Sequence, residues 1–276
     1  MVAGSTSSPP SLPYRVPIAI SGVRRVSALA DEEWGCVNDV GAYAGSTFGL
    51  RHTRDDQGLL VAPLLGRPHV VLSCVDLSMS PIPTRDGARV RRTLADLMDE
   101  RFTDRDERPE PQAFTQDPLP RWALSLPSID GDLEMTLALV PGKPAVILRF
   151  AWSGDGAVRL QVRPQLAMRA VGERAHASGA TCQVVEVRHG EARVRPRPDL
   201  PYVCFAHEGI FVGSPDWRRA DQDERGFQED LWTPGEIELE LAEGCASSVI
   251  CALERSPVEP VDALLARARA AAAAVG

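Results

Sequence analysis

The chain of 276 residues carries 30 Lys and Arg against 38 Asp and Glu, a formal net charge of −8, and is 44% apolar. That apolar share supports one large core or two small ones, and the acidic excess argues against sequence-independent nucleic-acid binding, which needs clustered cations to displace phosphate counterions. No run approaches the roughly 18 apolar residues that cross a bilayer, and Cys36, Cys74, Cys182, Cys204, Cys245 and Cys251 lack the spacing of a disulfide framework or zinc ribbon, so reduced thiols and a cytoplasmic location are expected.

Met1 to Pro13 is rich in Ser, Pro and Gly and lacks the basic and apolar regions of a secretory signal, which predicts a disordered tail over residues 1–13. From Tyr14 onward, short apolar or alternating runs are closed by turn residues at spacings typical of all-β proteins. Strands are expected at Pro17–Ser21, Leu59–Ala62, His69–Leu77, Trp122–Leu126, Leu133–Val140, Ala145–Trp152 and Val158–Arg163. Further strands are expected at Cys182–Val187, Ala192–Arg195, Tyr202–Ala206, Ile210–Gly213, Glu236–Leu241 and Ser248–Leu253. Asp130-Gly131, Pro141-Gly142, His189-Gly190 and Glu208-Gly209 each lie between two such runs and predict hairpins, because Gly supplies the positive φ of a tight reversal.

In Glu236-Ile237-Glu238-Leu239-Glu240-Leu241 the alternation puts carboxylates on one face and apolar side chains on the other, the mark of a half-exposed antiparallel sheet. Val90 to Arg101 has helical spacing, and Arg101 to Gln116 reads as a polar loop. After Pro257 and Pro260, Val261 begins an Ala-rich segment of high helix propensity, expected to be a connector with only a short apolar stripe of Val261, Leu264 and Leu265. The expected fold is all-β, an antiparallel β-sandwich over residues 14–255 with a linker and C-terminal helix at 256–276, and less than about 20% helix against the roughly one-third of ordinary domains.

Glu33-Trp34, followed by Asn38-Asp39-Val40-Gly41-Ala42-Tyr43-Ala44-Gly45-Ser46-Thr47, Thr53-Arg54 and Gly58-Leu59-Leu60-Val61-Ala62, resembles the N-terminal domain of bacterial and archaeal glycogen-debranching enzymes (amylo-α-1,6-glucosidases). Arg163-Pro164 and Glu224-Arg225-Gly226-Phe227-Gln228-Glu229-Asp230-Leu231-Trp232-Thr233-Pro234-Gly235 continue the match in order, so that it spans about Glu32 to Leu253. The resemblance implies a supersandwich of the kind found in front of glucoamylase-like catalytic domains. It also implies that the hydrolytic carboxylates belong to a following (α/α)6 barrel, so no catalytic residue is carried over onto this chain. Asp55-Asp56-Gln57 stands where the family has Arg, Tyr and His, and Ala167-Met168-Arg169-Ala170 lacks the Asp and His expected after the Arg-Pro pair.

Asn38, Gly41, Tyr43, Thr47, Arg54 and Trp232 are the candidates for contact with carbohydrate or for a place facing a cleft, since sugars are held by aromatic faces and planar hydrogen-bonding groups. Two readings stay open for the Asn38 to Thr47 segment: a glucan-touching surface, or a Gly-rich loop at the sandwich edge with Tyr43 in the core. Trp34 and Trp217 face the same choice between sugar platform and core. Glu229 and Asp230 are adjacent on an extended segment and so are not expected to flank one glycosidic bond. Cys204 and His207 have half the spacing of a metal site with no second ligand pair, and phosphate-binding Gly loops are missing, so neither metal nor cofactor is expected. The implied function is accessory and non-catalytic, in α-glucan debranching; the implied partners are α-glucan or a catalytic (α/α)6-barrel subunit, with neither nucleic acid nor membrane. An autonomous carbohydrate-binding or interaction module, and the N-terminal portion of a true debranching enzyme, are the alternatives.

Overall fold

The computed structural model describes residues 22–82, 84–85, 88–89, 108–126, 129–178, 183–219 and 227–274. The tail over residues 1–13, the strand at Pro17–Ser21, the helix at Val90–Arg101 and Cys182 lie outside them. Of the described residues 57% are in strands and 8% in helices, in two antiparallel sheets that face each other.

The first sheet has nine strands among the described residues, in the order β1 (Arg24–Arg25), β8 (Glu110–Gln116), β9 (Pro120–Leu126), β10 (Ile129–Leu139), β11 (Ala145–Trp152), β18 (Ala246–Leu253), β15 (Val203–His207), β14 (Glu191–Arg195) and β13 (Gln183–Arg188). The second has seven: β16 (Ile210–Arg218), β17 (Leu231–Leu241), β12 (Val158–Ala170), β5 (Arg67–Pro81), β4 (Gly58–Leu64), β3 (Tyr43–Thr47) and β2 (Glu33–Val37). A two-stranded ribbon, β6 (Thr84–Arg85) with β7 (Ala88–Arg89), stands apart. A short helix α1 (Val26–Leu29) follows β1, and α2 (Val261–Ala273) ends the described chain.

Alternation explains which face each strand buries. In β17 Ile237, Leu239 and Leu241 point into the space between the sheets, where they join Trp34, Trp122, Phe150 and Leu160 in one core. The opposite carboxylates are less wet than the alternation predicts: Glu238 is buried beside Arg159, Glu236 meets Arg163 Nη2 at 3.2 Å, and Glu240 is exposed. The outer face of the nine-stranded sheet is covered by α2, whose Leu264, Leu265 and Ala268 pack on Ala138, Ile147 and Ile250. Asp262, Ala263, Ala266 and Arg267 stay exposed, so the helix is held by one stripe of its surface.

Four local expectations are corrected. Asp130-Gly131 does not close a hairpin; it lies inside β10, at an irregularity in the pairing with β9. Glu208-Gly209 joins β15 in one sheet to β16 in the other, and Gly209 is required by space rather than by φ, because a Cβ there would sit 1.9 Å from the Glu238 carbonyl oxygen. The C-terminal part of the polar segment Arg101–Gln116 is a strand, β8: it carries one large apolar side chain, Phe114, and its ladder with β9 and docking of that ring outweigh the missing alternation. Tyr43–Thr47 is likewise a strand, not a loop; Gly35 lies opposite Gly45, and the small side chains let β2, β3 and the core approach closely.

Candidate functional site

The turn between β2 and β3 is built by Asn38. Its Nδ2 donates to the carbonyls of Val140 and Lys143, both at 2.8 Å, while Oδ1 accepts from the amides of Val40 and Ala42. The amide nitrogen thus ties this turn to the β10–β11 turn of the other sheet, while the amide oxygen closes the β2–β3 turn on itself. Gly41, at φ +78°, takes the left-handed position of the same turn. Tyr43 is buried on the outer face of the seven-stranded sheet with Val61, Val70 and Leu231, its hydroxyl donating to the Asp56 carbonyl at 3.1 Å. Thr47 is also buried, its Oγ1 donating to the Arg51 carbonyl at 2.8 Å, and its own carbonyl accepts from Trp34 Nε1. Arg54 is exposed and lies between Glu33, at 2.9 Å, and Asp56, at 3.0 Å.

The residues at which the chain departs from the family pattern have structural work of their own. Gln57 is fully buried: Oε1 accepts from the Thr53 amide at 2.7 Å and Nε2 donates to Glu33 at 3.0 Å. Arg169, from the other altered segment, is the hub of the whole region. It projects from β12 with a nearly inaccessible side chain, and its Nε and Nη2 donate to the two oxygens of the equally buried Glu229, while Nη1 donates to the Asp55 carbonyl at 2.7 Å. The Ala175 amide adds a donor to Glu229, and the Ala177 amide donates to Asp230 at 2.8 Å. Phe227 lies under the Arg169 guanidinium, 4.9 Å from ring centre to Cζ, and its amide donates to the His52 carbonyl. The three segments that carry the family resemblance are thereby joined through one guanidinium.

Glu229 and Asp230, the adjacent acids of the sequence, are both held by the loop 173–178. A carboxylate whose two oxygens accept a bidentate Arg pair and a backbone amide, out of contact with water, has the geometry of a structural anion; a general acid must present a proton to a leaving-group oxygen. Among the described residues no cluster of three or more His, Cys, Asp or Glu is placed to hold a metal ion. Cys36, Cys74, Cys204, Cys245 and Cys251 are free thiols, and burial pushes Cys36 and Cys74 up to about 12, so neither supplies a thiolate at neutral pH. No described helix is long and apolar enough to cross a membrane.

Sequence reasoning missed His52. Its Nδ1 lies 3.1 Å from Ser73 Oγ and its Nε2 is buried; burial, with the Arg169 charge adding to it, lowers the imidazole to about 4. The unfolded chain binds a proton at His52 below about 6.5 and the folded chain only below about 4, so the stability due to neutral His52 is complete above the upper value and is lost as pH falls through that window. Between pH 7 and pH 5 the His52 contribution should fall by about 2 kcal/mol. Urea unfolding of the native chain and of His52→Gln checks this: the variant should show a flatter pH dependence, and an unchanged slope would contradict the assignment. Burial lowers His207 in the same direction, so some slope persists in the variant.

Trp232 and Trp217 face each other across β17 and β16, and both line a cavity of about 400 Å³ at the open edge of the sandwich. Trp232 is buried in the core while Trp217 is half-buried. Loop 173–178, from β12, and the turn between β14 and β15, at Pro196 to Asp199, complete the rim. Two strands are irregular beside the cavity: β12 shifts register between Gln165 and Arg169, with Met168 at φ +46°, and β16 between Gly213 and Asp216. Trp232 is thus brought to an opening together with Trp217, whereas Asn38, Gly41, Tyr43, Thr47 and Arg54 do not line it. No signal short of the bulge geometry points from the sequence to the 196–199 turn.

A search of curated proteins found no match to the sequence. Among solved structures, a bacterial glucoamylase complexed with acarbose aligns at TM-score 0.44 and 7% identity, covering 92% of this chain and 36% of that one. The heparan sulfate lyase HepC of Pedobacter heparinus aligns at TM-score 0.35 and 11% identity over 78% of this chain and 34% of that one. The chain therefore spans about a third of the length of these structures. The family model described as glycogen debranching enzyme N terminal matches residues 32–247, a stretch that takes in Trp34, the Asn38 turn, Arg169, Glu229 and Trp232. The chain belongs to the family of glycogen debranching enzyme N-terminal domains.

Proposed function

We propose that the chain is a non-catalytic accessory domain of cytoplasmic α-glucan debranching, which acts on glucan beside a catalytic (α/α)6 barrel rather than by hydrolysing it. The observation that carries this reading is the fate of Glu229: the acid of the family block is buried in a bidentate pair with Arg169, whose guanidinium stacks on Phe227, and is spent on holding three segments together. Asp56, the other acid near the Asn38 to Gly58 segment, is paired with Arg54. Free Cys thiols support a reducing compartment. The α-glucan itself, or the barrel that binds it, is the proposed partner. Incubated alone with α-1,6-branched limit dextrin, the purified chain should release no glucose, and glucose release would overturn the reading.

An autonomous carbohydrate-binding module is the second reading, favoured by the tryptophan-lined cavity. Affinity electrophoresis through glycogen separates the two: retardation shows that the chain grips glucan unaided, and unchanged mobility leaves contact to a partner.

A further inference from the structure

The cavity at the β16 edge has a composition that selects its ligand. Its apolar wall is Trp217 against Trp232, and an aromatic plane is complementary to the apolar face of a pyranose ring. Its polar rim offers both donors and acceptors. Arg197 and Asp199 hold each other through two hydrogen bonds, at 3.0 and 2.7 Å, with both side chains about half exposed and edge atoms still open to water. Glu173 is paired with Arg67, Arg169 with Glu229, and Arg174 lies 5.1 Å over the Phe227 ring. The three ion pairs have little net pull on an ionic ligand, Arg174 keeps its charge over the Phe227 ring, and a planar guanidinium and a carboxylate held side by side match vicinal hydroxyls. The volume of about 400 Å³ lies in the range of small-ligand sites and suits a short oligosaccharide end. Met168, a non-glycine residue in the left-handed region, lies on the cavity wall.

We propose that this cavity binds the end of a neutral α-glucan chain, with Trp217 as the stacking wall and the Arg197–Asp199 pair as the hydroxyl-binding rim. The inference rests on the α-glucan reading above and adds to it a specific place on this chain. Tryptophan fluorescence of the whole chain, titrated with maltotriose to about 10 mM, the weak end of specific binding, should show a saturable change. Trp217→Ala should weaken binding up to about tenfold, the upper end of the scale for losing an aromatic stacking partner. Asp199→Ala, at an exposed turn where folding is not at stake, should weaken it several-fold, with melting temperatures confirming that both variants fold. No saturable change, native affinity in both variants, or tighter binding of glucose 1-phosphate than of maltotriose would overturn the inference. Any of these removes the cavity alone; the non-catalytic reading fails on a separate readout, the release of glucose.

Discussion

Glu229→Ala is expected to destabilise the fold by about 3–5 kcal/mol, because it leaves the Arg169 guanidinium buried without its counter-charge. In a domain of this size that is a fall of about 10 °C in melting temperature. Glu229→Gln should cost less, since the amide oxygen still accepts one of the Arg169 bonds. The double replacement Arg169→Met with Glu229→Leu should recover much of the loss of the single Ala change, because an apolar pair of similar volume avoids the desolvation of both ions. Calorimetry on the three variants checks the order. A Glu229→Ala variant within about 1 kcal/mol of the native chain would place the pair in water and remove the hub.

Trp122→Ala should cost about 3–5 kcal/mol, the usual range for emptying a large aromatic site. Trp122 belongs to the cluster that closes the sandwich at the edge away from the cavity: its ring centre lies 5.0 Å from Trp34, edge to face, and 5.0 Å from Phe114, which stacks on Phe48 at 4.4 Å. Trp34 and Phe48 come from the second sheet's edge, Trp122 and Phe114 from the first, so the cluster is the contact between them. The change also strips the Phe48 carbonyl of its donor, Trp122 Nε1 at 3.0 Å. Trp34→Ala should be similarly costly, and the double variant should lose less than the sum, by about 0.5–1.5 kcal/mol for the ring pair. Urea midpoints give these values; strict additivity would mean the rings pack independently.

The strands with strong apolar runs, Ala145–Trp152 and Ser248–Leu253 for example, are legible in the sequence because both faces of a central strand are buried, and composition alone marks them. β3 and β8 are not, since each is a strand by virtue of what it pairs with: small residues in one, a single Phe in the other. The same logic hides the hub. Arg169 stands in a short segment where the family's Asp and His are missing, and an Arg in a sequence reads as solvent-facing by default. Its burial is decided by an acid sixty residues away, at Glu229, and by Asp55 more than a hundred residues before it. The neighbours Ala167, Met168 and Ala170 were the available hint, a charged residue set in an apolar strand. The tryptophans are legible as a choice between core and sugar wall; Trp34 lies in the core, and Trp217 lies at an opening beside two irregular strands.

Glucose release from limit dextrin, followed through purification at high protein concentration and repeated with Asp56→Asn and Glu229→Gln, tests the central claim most directly. Any trace of glucose-releasing activity is expected to be lost on purification and to be the same for native protein and both variants. Release that persists through every step and disappears when either acid is replaced would make this domain a hydrolase in its own right and contradict the account.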